Sequence, residues 1–435
     1  MQAMTRVSLF AITIPPQMSA KRTRASFAAT LLVLLCASFG FPKRYPQIKW
    51  VGSWAASQQL AEPRNSLSAD DLHDVTLRQV IHLSMGGPEL RVHLSNRFGK
   101  APLRLTSVHI AQPASAASEK IVSGSDKALG FSGASDVTIP VGADYISDPI
   151  VFSAPALSEL AITFHADALP AEQTGHPGSR ATSYLTHGDL VSAAELPNPS
   201  KVEHWYFIAG VDVRAAPAAA SLVALGDSIT DGHGATTDGN DRWPDALAKR
   251  LEGGSRPKKN IAVLNEGIGG NRLLHDGTGP NALARFDHDV LAQAGVRYLI
   301  VLEGINDIGT LTRDADVPDE EHETLVRRMR AAYWQIVTRA HTHGIKVIGA
   351  TILPFVGSEY YHPGPKTEAD RQAINEWIRI PGHFDAVVDL DKVTRDPQHP
   401  DRLLPAFDCG DHLHPSPAGY RAMADAIPAS LFDLK

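Results

Sequence analysis

Four short polar stretches in the C-terminal half of the chain hold the residue types used in nucleophilic catalysis. Ser228 follows an apolar run within Gly-Asp-Ser, and its hydroxyl is a candidate nucleophile. His414 is a candidate general base, because imidazole titrates near neutral pH. Asp411 comes three residues before His414, so on a tight turn its carboxylate can reach the imidazole Nδ1 and fix the tautomer. Together these side chains could transfer an acyl group from an ester to a serine.

Such a reaction also needs donors for the oxyanion of its tetrahedral intermediate. Asn306 offers a side-chain NH₂ group, and the lack of a side chain at Gly270 leaves a backbone N–H approachable. With the N–H of Ser228, these groups make an oxyanion hole of three donors: Ser228, Gly270 and Asn306. Asp227 is expected to order the turn around the nucleophile rather than to take part in the chemistry.

Each stretch also has an ordinary explanation. Gly-Asp-Ser is typical of a turn, Asn306-Asp307 could start a helix, and His414 could be a surface residue. Asp408 is a second candidate orienting carboxylate, and His412 is less well placed than His414 to pair with Asp411. Cys409, a lone cysteine outside the N-terminal segment, is a rival nucleophile. The order and joint placement of all four stretches favour the serine.

The four stretches resemble the blocks of the SGNH, or GDSL-type, hydrolase superfamily. The blocks lie at residues 226–232, 265–270, 304–307 and 411–415. The resemblance covers residues 221–434, and Ile229 replaces the leucine of the family's usual motif. It implies a flavodoxin-like three-layer α/β fold and a Ser228–His414–Asp411 mechanism that needs neither metal nor cofactor. Thr230 stands where the Gly-x-Ser-x-Gly elbow of α/β-hydrolases would have its second glycine.

Strand-like and helix-like patterns alternate after Ser221, which predicts a parallel sheet of about five strands with helices on both faces. Apolar strand-like runs occur at residues 222–225, 261–264, 298–302, 347–352 and 386–390. Helical patterns occur at residues 243–251, 282–294, 321–340 and 368–380, and Ser416-Pro417 is a predicted helix start leading to about residue 431. The carboxyl ends of parallel strands share one edge, where the candidate residues would meet.

The preceding region, residues 45–215, is predicted to be a β-sandwich-like accessory domain. Short alternating runs at residues 75–83, 90–94, 103–110, 150–152, 160–164 and 205–213 are separated by turn-forming residues. An alanine-rich linker then leads to the hydrolase domain at residues 221–435. This layout is similar to secreted two-domain members of the superfamily linked to polysaccharide deacetylation. The segment 94–99 is a candidate contact with substrate, or only a strand followed by a turn.

The first 44 residues resemble a secretory signal. Lys21, Arg22 and Arg24 precede an apolar run at residues 25–41, and Ser38 and Gly40 suit the −3 and −1 positions of a cleavage site. An uncleaved membrane anchor is the alternative, since a run of this length is at the lower limit for a span. Cleavage predicts a secreted or periplasmic protein with no stable membrane insertion.

Composition limits the partners of the protein. Its net charge is −7 and it has no long basic run outside the N-terminus, which argues against nucleic acid as a partner. The leading hypothesis is a serine esterase acting on short acyl esters, above all acetyl, of a small molecule or a polysaccharide. The alternatives are a lipase, arylesterase or thioesterase of the same mechanism, or a glycan-binding protein with an inactive hydrolase half. Histidines near positions 341–343 and 412–414 do not match a standard zinc signature.

Overall fold

The structure is a computed structural model that describes residues 49–253 and 260–433. The predicted signal or anchor at residues 1–44 lies outside the described residues. The β-rich region and the C-terminal half belong to one compact unit, from Pro46 to Lys435. Contacts between these two parts of the chain are therefore part of one folded body.

The C-terminal half contains a parallel sheet of five strands. In spatial order the strands are Ile261–Gly267, Ala220–Gly226, Val296–Leu302, Lys346–Ala350 and Ala386–Val388. Numbered along the chain this order is 2-1-3-4-5, the flavodoxin-like arrangement, so the predicted fold class is confirmed. The strand Ala220–Gly226, which is first along the chain, is buried along its whole length, as expected of a strand covered on both faces.

The predicted helices are present as Trp243–Gly253, Ala282–Phe286, Asp319–Thr342, Pro365–Arg379 and Pro417–Asp425, and two of them end earlier than predicted. The α-helices Ser228–Asp231, Ile305–Thr312 and Leu390–Thr394 were not among the predicted helical patterns, and the last of them begins within the predicted strand at residues 386–390. The predicted helix at residues 282–294 continues beyond Phe286 only as a π-helical turn, Asp287–Leu291. The last helix does not reach residue 431, because Pro428 has no N–H and its ring clashes with a preceding carbonyl.

The β-rich region consists mainly of two antiparallel sheets. One contains Lys49–Ala55, Ile208–Ala215, Gly87–Ser95, Ile150–Ala154 and Asp144–Ile146, and the other contains Ser200–Val202, Ser183–His187, His73–His82, Glu159–Ala168, Ser107–Ala111 and Lys127–Ala128. Shorter pairings join Trp205–Tyr206, Thr174–His176 and Gln59–Leu60, and Leu103–Leu105 with Val137–Ile139. Apolar residues of both large sheets form one core, which is the arrangement of a sandwich.

Two of the predicted β runs are interrupted. The run at residues 103–110 divides into Leu103–Leu105 and Ser107–Ala111, which belong to different sheets. The run at residues 205–213 divides at Phe207, whose φ of 60° lies in the left-handed region and cannot continue a strand. The alternation of side chains located these strands but did not show where the chain changes direction.

The β-rich region packs along the outer strand of the parallel sheet. The strand Lys49–Ala55 lies against Ile261–Gly267, and a Cβ at Gly52 would stand only 2.9 Å from Leu264 Cδ1. The Ser221 hydroxyl is buried between the two parts and lies 2.7 Å from Ala294 O and 3.1 Å from Gly52 O. This close packing brings loops of the β-rich region to the edge of the sheet that carries the candidate site.

Candidate active site

The nucleophile candidate stands in a tight turn between the first parallel strand and a single helical turn. The carboxylate of Asp227 accepts a hydrogen bond from the Ile229 N–H at 3.0 Å, so it caps the helix Ser228–Asp231. A Cβ at Gly226 would lie 2.2 Å from Thr230 Oγ1, so this turn requires glycine there. The Ser228 side chain therefore stands at the carboxyl edge of the sheet on a fixed backbone.

The predicted triad residues are within hydrogen-bonding distance of one another. Ser228 Oγ lies 2.8 Å from His414 Nε2, and His414 Nδ1 lies 2.6 Å from Asp411 Oδ2. With the proton on Nδ1 donated to the carboxylate, Nε2 is left to accept the serine proton. This is the geometry in which an imidazole acts as general base toward a serine hydroxyl.

A tight turn holds the carboxylate of Asp411 under the imidazole. Its Oδ1 accepts hydrogen bonds from the N–H groups of Leu413 and His414, at 3.0 and 2.8 Å. Burial would raise the pKa of Asp411, but the hydrogen bond and charge of His414 together with these two N–H groups outweigh it. The pKa of Asp411 lies well below its ordinary value, so the carboxylate stays ionised.

The competing residues of the same stretch have other partners. Asp408 Oδ2 lies 2.6 Å from His412 Nδ1, so its carboxylate is paired with the exposed His412 instead of with His414. Burial, followed by the charge of Asp411, raises the pKa of the Cys409 thiol to about 11. A thiol with so high a pKa is a poor source of thiolate, which makes Cys409 a weak nucleophile.

The three predicted oxyanion donors lie at the same edge of the sheet. Neither the Ser228 N–H nor the Gly270 N–H has a hydrogen-bond acceptor within residues 49–253 and 260–433. Asn306 lies in the first turn of the helix Ile305–Thr312, as the helix-start alternative proposed, and is 2% exposed. One proton of its Nδ2 goes to Asn271 O at 2.7 Å, and the Tyr361 hydroxyl donates to Oδ1 at 2.5 Å. The second Nδ2 proton is free for an oxyanion.

Replacement of Asn306 by alanine should lower kcat for a short ester by about 10²–10³, the loss typical of one oxyanion donor. KM should change little, because the oxyanion forms only in the transition state. Tyr361→Phe should have a smaller effect, since the hydroxyl only orients the Asn306 amide. Steady-state kinetics on 4-nitrophenyl acetate measures both changes. An unchanged kcat for Asn306→Ala would remove this residue from the oxyanion hole.

A group of buried acidic side chains lies behind the nucleophile. Burial raises the pKa of Asp227 to about 7, although the hydrogen bond from the Ile229 N–H acts to lower it. Burial likewise raises the pKa of Asp307 to about 6, although hydrogen bonds from the N–H groups of Leu273 and Leu274 act to lower it. Burial and the charge of Asp227 raise the pKa of Glu303 well above its ordinary value. Arg285 Nη2 lies 3.8 Å from Glu303 Oε2, and its charge does not offset the burial of the carboxyl. The environment of Glu303 therefore favours its protonated form more than water does.

The variant Glu303→Gln should abolish part of the pH dependence of stability. A carboxyl whose pKa is raised in the folded state stabilises the fold below its unfolded pKa of about 4.3, and this stability is lost as pH rises through the folded pKa. The wild-type melting temperature should thus fall relative to the variant as pH rises above the unfolded pKa. Melting temperatures of the two proteins that change in parallel with pH would contradict a raised pKa at Glu303.

Arg285 is a buried residue beneath the site. Its side chain has 1% exposure and donates to Gly226 O at 2.8 Å, to Glu266 O at 2.6 Å and to Asp289 Oδ2 at 2.9 Å. These bonds join the ends of the first two parallel strands to a helical turn. The sequence offered no signal for this role beyond an arginine within a helical pattern.

The segment 94–99 packs inside the protein instead of lining the site. Asn96 is fully buried, and its Nδ2 donates to the carbonyls of Ala101 and Ile139 at 2.9 and 3.1 Å. The N–H of Phe98 donates to Thr174 Oγ1 at 2.8 Å. Of the two alternatives for this segment, the strand followed by a turn is the one that the structure contains.

The histidine pairs considered as zinc ligands have different partners. His341 Nε2 lies 2.8 Å from Asp385 Oδ2, whereas His412 binds Asp408. The ligating atoms of His233, Asp411 and His414 lie within 4.8 Å of one another. Asp411 binds His414 Nδ1 and His414 Nε2 binds Ser228, so two members of this cluster already take part in the hydrogen bonds of the candidate triad.

A cavity of about 830 Å³ lies over Ser228. Gly270, Asn306 and His414 line it, and so do residues of the β-rich region: Gln59, Glu62, Arg64, Asn65, His176, Pro177, Gly178 and Arg180. The β-rich region thus forms one wall of the candidate site. Sequence reasoning left open whether that region touches substrate, because nothing in its strand pattern marks the residues that face the cavity.

The C-terminal half of the chain is similar to known proteins. Residues 222–427 match the family model of GDSL-like lipases and acylhydrolases. No curated protein sequence matches the chain. Among solved structures, a G-D-S-L family protein from Desulfitobacterium hafniense is 24% identical, with a TM-score of 0.35 and coverage of 49% of this chain and 98% of that one.

Two further solved structures are similar over the same part of the chain. An acetylxylan esterase from Geobacillus stearothermophilus is 23% identical, covers 48% of this chain and 93% of its own, and has a TM-score of 0.36. A GDSL-like lipase from Bacteroides thetaiotaomicron is 19% identical, covers 47% of this chain and 84% of its own, and has a TM-score of 0.33.

Proposed function

The C-terminal half of this chain belongs to the GDSL-like lipase/acylhydrolase family and hydrolyses esters, and on that premise we propose that it removes short acyl groups, above all acetyl, from esterified hydroxyl groups such as those of a polysaccharide. The observation that carries the proposal is the large cavity over Ser228, which is lined mostly by polar and charged residues. Ser228, His414 and Asp411 perform the reaction, and the amides of Ser228, Gly270 and Asn306 stabilise its oxyanion.

The proposed reaction proceeds through an acyl-enzyme. Ser228 Oγ attacks the ester carbonyl while its proton moves to His414 Nε2, and the carbonyl electron pair moves onto oxygen in the oxyanion hole. Collapse breaks the bond to the alcohol, which leaves with the proton from His414. A water molecule then attacks the acyl carbonyl while its proton moves to His414 Nε2. The bond to Ser228 Oγ breaks, His414 returns the proton to Ser228, and the carboxylic acid leaves. Asp411 stabilises the imidazolium that forms in each step.

The lining of the cavity favours a hydrophilic substrate. A long acyl chain gains affinity by burying apolar surface, at about 25 cal/mol per Å². Most residues that line the cavity are instead polar or charged, among them Asn65, Arg180, Glu359 and His412. Tyr360 adds an exposed ring at the cavity, with 60% of its surface accessible, against which the C–H face of a sugar can pack. These features fit a carbohydrate ester better than a lipid.

A panel of 4-nitrophenyl esters from acetate to laurate, with acetylated xylo-oligosaccharides, tests the proposal. We expect kcat/KM to be highest for acetate, to fall with chain length, and to be accompanied by acetate release from the oligosaccharides. Tyr360→Ala should raise KM for the oligosaccharides without affecting 4-nitrophenyl acetate, which is too small to need the ring. A maximum at octanoate or longer would overturn the proposal in favour of a lipase.

The alternative of a glycan-binding protein with an inactive hydrolase half makes a different prediction for the same assay. It requires carbohydrate binding by the intact protein without turnover of any ester. The triad distances of 2.8 and 2.6 Å leave the catalytic groups in place, which supports an active enzyme. Binding of acetylated oligosaccharides with no acetate release would favour the alternative.

Export from the cytoplasm is part of the proposal and rests on the sequence of residues 1–44. Within residues 49–253 and 260–433, no helix is long and apolar enough to cross a membrane. We expect the exported protein to begin after Gly40, which N-terminal sequencing of protein from the medium or periplasm would show. Retention of the intact N-terminus in the membrane fraction would instead support the anchor.

A further inference from the structure

The segment His176–Arg180 of the β-rich region reaches the helical turn that begins with the nucleophile. His176 Nε2 lies 2.9 Å from Asp231 Oδ1, and its Nδ1 lies 2.9 Å from Ser57 O. Both His176 and Asp231 are buried, and Asp231 is the last residue of the helix Ser228–Asp231. A Cβ at Gly178 would stand 1.9 Å from Asp231 Oδ2, so glycine allows this close approach.

Hydrogen bonds also hold the chain at and just after the C-terminal end of this segment. Thr182 donates from its N–H and its Oγ1 to the two carboxylate oxygens of Asp238, each at 2.7 Å. The Asp238 N–H in turn donates to Arg180 O at 2.9 Å. Arg180 itself has a φ of 48°, a left-handed conformation that a non-glycine residue keeps only where its surroundings enforce it. The backbone of Arg180 is therefore held in one place at the cavity.

From that place, the guanidinium of Arg180 reaches a second histidine beside the triad. Arg180 Nη2 donates to His233 Nδ1 at 3.4 Å, and no carboxylate within residues 49–253 and 260–433 forms a salt bridge with it. The His233 ring packs against that of His414, with 4.1 Å between ring centroids and an angle of 37° between the ring planes, and His233 Nε2 is 3.6 Å from Asp411 Oδ2. Because a guanidinium only donates, His233 Nδ1 must accept, and its ring proton is on Nε2, toward Asp411.

His233 is neutral in this environment. Burial, then the charges of His414 and Arg180, lower the pKa of His233 to about 4, while the carboxylates of Asp411 and Asp231 act in the opposite direction. A neutral His233 packs on His414 and leaves the charge of Asp411 to the catalytic imidazole. A protonated His233 would compete with His414 for that carboxylate.

We propose that Arg180 is a positioning residue of the catalytic centre, which acts through His233 on the Asp411–His414 pair, so that the β-rich region completes the active site. This inference rests on the proposed ester hydrolysis at Ser228. Direct binding of a substrate anion by Arg180 is the competing role. It is disfavoured because the carboxylates of Asp231, Asp411 and Glu359 line the same cavity and would repel an anion.

The variant Arg180→Ala tests the proposal with 4-nitrophenyl butyrate, a neutral ester. We expect kcat to fall about 10- to 100-fold, the loss seen when groups that orient metal-binding histidines are removed, with little change in KM. Without the charge of Arg180, the pKa of His233 rises toward its ordinary value, so the acidic limb of the kcat/KM profile should move to higher pH. Arg180→Lys should retain part of the activity, and added guanidinium should partly restore Arg180→Ala.

A double-mutant cycle with His233→Ala distinguishes positioning from other roles. If Arg180 acts through His233, then Arg180→Ala should have little further effect in the His233→Ala background. Additive losses would overturn the proposal, as would a kcat and pH profile equal to wild type. So would a loss confined to KM for mono-4-nitrophenyl succinate, which would show an anion subsite. Arg104→Ala, an exposed arginine of the same region, is the matched control, and melting temperatures report folding.

The same experiment separates this proposal from the proposed function. If the wild-type protein hydrolyses no ester, then both the proposed function and the positioning role of Arg180 are overturned. If the wild-type protein is active and Ser228→Ala is inactive, but Arg180→Ala matches wild type, only the positioning role is overturned.

Discussion

Ser228→Ala should lower kcat for 4-nitrophenyl acetate by about 10⁶, the loss measured when a triad serine is removed from a serine hydrolase. In the proposed mechanism the hydroxyl oxygen forms the acyl-enzyme, and the 2.8 Å hydrogen bond to His414 Nε2 activates it. The fold should be unaffected, because the side chain is small and caps no helix. Steady-state kinetics with a thermal unfolding control measures both quantities.

The triad should behave as a unit. The double variant Ser228→Ala/His414→Ala should be no slower than Ser228→Ala alone, since a base without a nucleophile has nothing to activate. Ser123→Ala, at an exposed serine of the β-rich region, should keep wild-type kcat. A residual activity in Ser228→Ala within tenfold of wild type would show that another group carries the reaction.

Asp411→Asn should lower kcat by about 10⁴, as expected when an orienting carboxylate becomes an amide. The asparagine NH₂ would face His414 Nδ1 and favour the tautomer whose proton is on Nε2, where it cannot accept from Ser228. Because the pKa of Asp411 is held well below its ordinary value, the carboxylate is ionised over the working range and does not set the acidic limb of the pH profile.

Asp408→Asn is the matched control for this prediction. Asp408 lies in the same turn and was the second candidate orienting carboxylate, but it binds His412 instead of His414. We expect Asp408→Asn to keep kcat close to that of wild type. If Asp408→Asn lost activity as strongly as Asp411→Asn, the assignment of the orienting carboxylate from the 2.6 Å hydrogen bond to His414 would be wrong.

The parts of the site that depend on short-range geometry could be predicted from the sequence. Asp411 and His414 lie three residues apart, and a single turn brings the carboxylate to Nδ1. Ser228 follows a buried strand, and Asn306 follows another, so parallel pairing places both at one sheet edge. The spacing of these residues, and the rule that the carboxyl ends of parallel strands share one edge of a sheet, were sufficient to place them together.

The contributions that arise from packing between distant segments could not be predicted. His176 and Arg180 belong to the β-rich region, where their sequence resembles an ordinary loop, yet they contact Asp231 and His233 beside the nucleophile. Arg285 reads as one polar residue in a helical pattern, and only the folded chain shows that it ties the ends of two strands together. Periodicity shows which face of an element is buried, but not which element it meets.

Peptide mapping of an acid-quenched reaction with 4-nitrophenyl acetate tests the central claim most directly. The acyl-enzyme mechanism predicts a single added acetyl group on Ser228, absent from Ser228→Ala and formed much more slowly in His414→Ala. Turnover with the acetyl group on Cys409, or on any residue other than Ser228, would contradict it.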